Sequence, residues 1–142
     1  MRLTSFTDYA LRALMRLAGE PGRSFATGEM AAELDISRNH LAKVVRDLAD
    51  SGFISTQRGA GGGFTLARPA QSITIGEVVR ALEGPPLVEC FREDGGDCVL
   101  MPRCRLKARL AAAREAFMRE LDTTTLAECA YPARLKRTPA PA

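Results

Sequence analysis

Apolar positions in the first half of the chain recur at helical spacing, and only one stretch breaks into short alternating runs. Phe6, Ala10, Ala13, Leu14 and Leu17 form a stripe that predicts a helix over 5–18, with Ser5 at its N-cap. Gly19, Pro21 and Gly22 end it. A second helix is expected after Thr27, burying Met30, Ala31 and Leu34. Asp35 and Ile36 make a tight connection, and Ser37 caps a third helix with Leu41, Val44, Val45 and Leu48 on its inner face. Gly52, which tolerates positive φ, stops that helix. Two short extended segments follow, over 53–57 and 64–67, joined by a glycine-rich tip that is expected to be long and flexible. Three helices and then a hairpin is the order of a winged helix-turn-helix.

Beyond the hairpin, Thr74 and Glu77 have the spacing of a capping box. They open a fourth helix with Ile75, Val78, Val79 and Leu82 inward, ended by Gly84, Pro85 and Pro86. A loop over 87–104 precedes a longer helix, expected from Pro102 to near Leu121, with Leu106, Leu110, Ala113, Phe117 and Leu121 on one stripe. About twenty residues at 1.5 Å rise span roughly 30 Å. So long a helix has more apolar face than its own domain can cover, and a partner subunit is the expected cover. Thr125 and Glu128 fit a cap for a last short helix, and the Pro-, Lys- and Arg-rich tail from Pro132 is expected to be disordered. The predicted class is mainly α with a small β-hairpin wing. Its parts are a winged helix-turn-helix DNA-binding domain over 1–84, a cysteine-rich loop over 85–104, a dimerisation helix and short final helix over 105–131, and a tail over 132–142.

Composition narrows this picture. A chain of 142 residues, 46% apolar, holds one compact domain or a small domain with an appended element. It has no apolar run of about 18 residues, the length a membrane-spanning helix needs. Arg2, Asp8, Arg12 and Arg16 interrupt the N-terminal stretch, which therefore lacks a secretion signal's apolar region. A cytoplasmic location is the expectation, and there clustered cysteines mean metal or redox chemistry more often than disulfides. Net charge of +3 permits nucleic-acid binding without arguing for it, because a DNA reader needs a local positive face.

Such a face is legible. A recognition helix presents its N-terminal residues to base edges. Those positions hold Ser37, Arg38, Asn39 and His40, followed by Lys43 and Arg46, all opposite the apolar stripe. The wing tip adds Gln57, Arg58 and Gly59, and an arginine there suits the minor groove. His40, the only histidine, fits a DNA or solvent contact better than a metal ligand. One histidine leaves no Ser/His/Asp set, and no phosphate-binding glycine fingerprint follows a strand, so an enzyme is not expected.

The candidate chemistry lies in CFREDGGDCVLMPRC, where Cys90, Cys98 and Cys104 are separated by seven and five residues. Thiols so spaced can converge on one soft metal centre while leaving it a ligand short. Cys129 reads either as a fourth donor, giving a structural zinc site of four thiolates, or as a small buried apolar residue. Asp8, taken locally, is an acid in a helix's first turn, where the dipole favours it regardless of metal.

The segments MRLTSFTDYALRAL, SRNHLAKVVRDLADSGFI, RGAGGGFTLARP and CVLMPRCRLKARL together resemble the winged-helix iron–sulfur transcription regulators of the IscR and NsrR type, over nearly the whole chain. The resemblance implies a homodimer paired through the long helix on palindromic double-stranded operator DNA. It also implies an iron–sulfur cluster, [4Fe–4S] or [2Fe–2S], as cofactor. The cluster-assembly branch would place a histidine ligand three residues after the third cysteine, where this chain has Lys107, which cannot ligate while protonated. The nitric-oxide-sensing branch is more similar, and TTLAE after the long helix also resembles it. That branch implies Cys90, Cys98 and Cys104 as ligands, Asp8 of the partner subunit as the fourth, and nitric oxide as the signal. Loss of the cluster would then release operator DNA, as in a repressor. The first cysteine interval is longer than in several relatives. A structural zinc, a different iron–sulfur signal (iron or redox) in the same fold, and an iron–sulfur electron-transfer protein are the alternatives.

Overall fold

A computed structural model of the chain describes residues 2–84 and 86–131. Among these the α-helices are α1 (Ser5–Gly19), α2 (Thr27–Leu34), α3 (Arg38–Asp50), α4 (Ile75–Leu82) and α5 (Arg105–Asp122). Strands β1 (Ile54–Gln57) and β2 (Gly63–Leu66) form an antiparallel hairpin between α3 and α4. Short 3-10 turns occupy Ala70–Ser72, Glu89–Phe91 and Leu126–Cys129. The architecture is the expected one, mainly helical with a two-stranded wing. The tail expected to be disordered lies outside the described residues.

The core forms where the predicted stripes meet. Ala10, Ala13, Leu14 and Leu17 of α1, Met30 and Ala31 of α2, and Leu41, Val44 and Leu48 of α3 are buried together around Phe25 and Phe64. Phe25 was not assigned to any element by its sequence pattern. It exchanges backbone hydrogen bonds with Phe64 at 3.1 and 2.9 Å, which ties the segment before α2 to the wing. A Cβ at Gly63 would overlap the Phe25 carbonyl, so a glycine is required where the wing approaches. Asp35 closes α2 in the left-handed region (φ 55°) and turns the chain into α3.

Several local features differ from expectation: β1 starts at Ile54 and β2 spans Gly63–Leu66, each shifted by one residue, and the caps and ends of three helices are built otherwise. Thr4, not Ser5, caps α1, its hydroxyl accepting from the Thr7 amide at 3.2 Å. Thr4 is fixed there because its amide and hydroxyl both donate to Glu83 at the end of α4, at 2.9 and 3.1 Å. Thr74 caps α4 by accepting from the Glu77 amide, but the reciprocal arm of the box is missing because the Glu77 carboxylate pairs with Arg68. And α5 begins at Arg105 rather than Pro102, since a turn from the Met101 amide to the Cys98 carbonyl (3.1 Å) keeps the preceding residues outside the helix.

The two ends of α5 differ in kind. Near its C-terminus Asp122 meets Arg80 of α4 in a bidentate pair, both contacts 2.6 Å. The Ile75 amide donates to the Thr124 carbonyl at 3.0 Å and the Leu126 amide to the Ile73 carbonyl at 2.7 Å. Met118 is the one buried residue of α5, whereas Leu106 is 61% exposed. The helix is anchored at one end and bare at the other.

Candidate functional site

The candidate DNA-facing side is built by the cap of α3. The Ser37 hydroxyl accepts from the His40 amide at 3.1 Å, which starts the helix and holds Ser37, Arg38, Asn39 and His40 at an exposed N-terminus. Lys43 and Arg46 are exposed on the same helix, with Leu41, Val44, Val45 and Leu48 buried behind. On the wing, Gln57, Arg58 and Gly59 are exposed, and the Gly62 amide donates to the Gly59 carbonyl at 2.9 Å to close the tip. The tip is thus a hydrogen-bonded turn.

Charge pairing separates this side from much of the surface. Arg12, Arg16, Arg23, Arg68, Arg80 and Arg92 each meet a carboxylate. Among the described residues Arg38, Lys43, Arg46 and Arg58 have none, so their charge remains open to phosphate. The sequence pattern missed two neighbours of this side. Gly28 of α2 lies where a Cβ would come within 3.8 Å of the Arg38 guanidinium. Tyr9 of α1 lies with its ring 6.5 Å from that of His40. Neither contact has a signal in local sequence, because each joins two elements.

Cys90, Cys98 and Cys104 line one pocket at the start of α5, walled by Val88, Leu100, Leu106 and Leu110, with Glu89 and Lys107 also in the lining. All three are half-buried free thiols. Glu89 shapes the loop by accepting from the Asp97 amide at 2.9 Å, which draws the two sides of the interval between Cys90 and Cys98 together. Gly96 packs so closely on Glu89 that a Cβ would overlap it. Reduced thiols in an apolar wall are a donor set suited to a soft metal or an iron–sulfur cluster. The thiols share the pocket without converging fully: among the described residues no three His, Cys, Asp or Glu side chains form a ligating group.

The other candidate donors lie elsewhere in the protomer. Asp8 is on α1, its carboxylate bound by Arg12 at 2.6 and 3.2 Å, and is not part of the cysteine pocket. Cys129 sits in the 3-10 turn beyond the opposite end of α5. A single protomer therefore does not bring Cys129 into the pocket that the other three line.

A helix-turn-helix with a wing, an open positive face and an appended long helix define a winged-helix transcription regulator. The chain belongs to the Rrf2 family, described as "Iron-dependent Transcriptional regulator", whose profile matches residues 3–131. Regulators of this family bind DNA and are typically dimeric. Among solved structures, CymR (YrzC), the global cysteine regulator of B. subtilis, is 28% identical, with 92% of this chain and 96% of that one covered and a TM-score of 0.74. Staphylococcus aureus CymR is 30% identical, covering 89% of this chain and 96% of that one, with a TM-score of 0.69. T. potens IscR shares the fold at 24% identity, with 90% and 85% covered and a TM-score of 0.71. No helix among the described residues is long and apolar enough to cross a membrane.

Proposed function

We propose that this chain is a homodimeric repressor whose operator affinity is set by an iron–sulfur cluster, and that nitric oxide is the signal that removes the cluster. Cys90, Cys98 and Cys104 of one protomer hold it, with Asp8 of the partner subunit as fourth ligand. The observation that carries this reading is the single apolar pocket lined by all three thiols at the root of α5. When bound, such a cluster supplies an iron that a small diatomic molecule can attack at its weakly held oxygen ligand.

The chain's own residues supply the route to DNA. Cys104 is the N-cap of α5, so the cysteine loop sets where the exposed half of that helix lies. The other end is fixed to α4 through Arg80 and Asp122. A shift of α5 against its partner therefore moves the two winged domains relative to each other, and half-site spacing tolerates little such movement. Asp8 acts from α1, which carries Tyr9 against His40 of α3. To serve as a ligand its carboxylate leaves Arg12. Ser37, Arg38, Asn39, His40, Lys43 and Arg46 read and grip the major groove, and Gln57, Arg58 and Gly59 grip the flank.

Titrating the anaerobic holo-protein with nitric oxide while following operator binding tests the signal. Operator affinity should fall as the visible absorption is lost; affinity that survives bleaching contradicts it. A second reading draws on the B. subtilis relative named as a global cysteine regulator. In it the same thiols report sulfur status without iron, and protein that is free of iron when made anaerobically would favour it.

A further inference from the structure

We infer that Lys107 is the electrostatic partner of the cysteine pocket: its ammonium places positive charge beside the three sulfurs and raises the reduction potential of a cluster held there. The inference rests on the iron–sulfur reading above for its redox consequence, but not for the local charge itself.

Cys104 is the N-cap of α5 and Lys107 lies in the helix's first turn, where side chains lean toward the N-terminus and so toward the third thiol. It is half-buried, and it lines the pocket together with Cys90, Cys98 and Cys104. Among the described residues no carboxylate pairs with it. Glu89 is the one acid in the lining and keeps its negative charge while accepting from the Asp97 amide at 2.9 Å, so Lys107 is the one cation of the lining and not its one charge. The remaining walls are aliphatic but partly open, with Leu100 63% and Leu106 61% exposed, so the charge acts on the sulfurs by its closeness to them. The first turn of α5 adds to the effect. Cys104 caps the helix without any side-chain hydrogen bond, so the positive end of an 18-residue helix lies beside the third thiol.

The chemistry decides what this arrangement does. Thiolates and reduced clusters are anions, and net charge around a cluster is one of the terms that sets its potential. A cation at Lys107 favours the reduced, more negative state. A protonated amine has no lone pair to offer iron, so it tunes the site without occupying a ligand position. The side chain that cannot ligate is thereby given a role.

Two measurements test this in a Cys129→Ser background, so that only the three pocket thiols react. In metal-free, fully reduced protein, the alkylation rate with neutral iodoacetamide is compared with the rate at which the thiolates attack a dianionic aromatic disulfide and release its aromatic thiolate. The ratio of the two cancels intrinsic thiol reactivity and reads local charge. Lys107→Met should lower the anionic-to-neutral ratio several-fold, Lys107→Glu should lower it further, and Lys107→Arg should leave it near the parent value. In anaerobically loaded protein, the midpoint potential should fall in the same order. A tenfold change in the one-electron equilibrium reads as 59 mV. Equal ratios across all four proteins overturn the inference. If the ratios shift but the parent protein takes up no iron and sulfide, the charge assignment stands and the iron–sulfur reading fails.

Discussion

Arg38, Lys43 and Arg46 project from one helix but have different tasks in the proposed function, and substitution separates them. Arg38 is at the helix N-terminus beside Gly28, and in the proposed function that end reads base edges. Arg38→Ala should cost about 1–3 kcal/mol on the operator and much less on unrelated DNA. Lys43→Ala and Arg46→Ala should instead weaken all DNA alike, each lowering the salt-dependence slope by about 0.9 for every phosphate left without its cation. Competition binding at several salt concentrations checks both. At this scale much was legible in the sequence. Ser37 as a cap and Leu41, Val44 and Leu48 as a buried face follow from side-chain chemistry and helical period, and all hold their expected places. Phe25 and Tyr9 were not legible, since each matters through a contact between segments distant in sequence. The Thr4 cap was hidden for the same reason: its partner, Glu83, is 79 residues away.

Elements are held to one another by a few specific contacts, and the joint between α4 and α5 is the clearest. Hydrogen bonds from Arg80 hold the Asp122 carboxyl below its ordinary range, and the Arg80 guanidinium is raised in turn. A carboxylate with a depressed folded value contributes stability above its unfolded value, and that contribution is lost as pH falls through the folded one. Asp122→Asn should therefore flatten the acid side of the stability–pH curve while changing little near neutrality beyond the loss of the pair. Thermal melts across the acid range measure this. Gly76 faces the same carboxylate so closely that a Cβ would overlap it. Gly76→Ala should force the joint apart and destabilise the fold by about 1–3 kcal/mol, read by denaturant unfolding. The hydrophobic stripes named these helices, but the joint was not legible. Arg80 and Asp122 are 42 residues apart, and neither breaks its own helix's pattern.

For the whole molecule, the bare half of α5 is the feature with most consequence. Leu106 is 61% exposed, as are Val99 (94%) and Leu100 (63%) just before the helix. In the proposed dimer these side chains are covered by the partner. The double substitution Leu106→Asp with Leu110→Asp should shift sedimentation from dimer to monomer and abolish tight operator binding, while the far-ultraviolet circular dichroism stays native. A dimer that persists would place the interface elsewhere. The length and apolar stripe of α5 could be read in advance, and so could the cysteine spacing. What spacing could not reveal is that Glu89 clasps the loop, because that contact follows from the folded loop and not from the thiols' separation.

In the proposed function, three thiols in one pocket hold iron and the iron governs DNA binding. Its most direct test follows iron, acid-labile sulfide, visible absorption and operator affinity together, on protein made without oxygen, before and after nitric oxide. The expected result is a coloured dimer with iron and sulfide in cluster proportion, tight on its operator, whose affinity falls as the colour bleaches. Colourless, iron-free protein that binds the operator equally tightly with and without nitric oxide would contradict it.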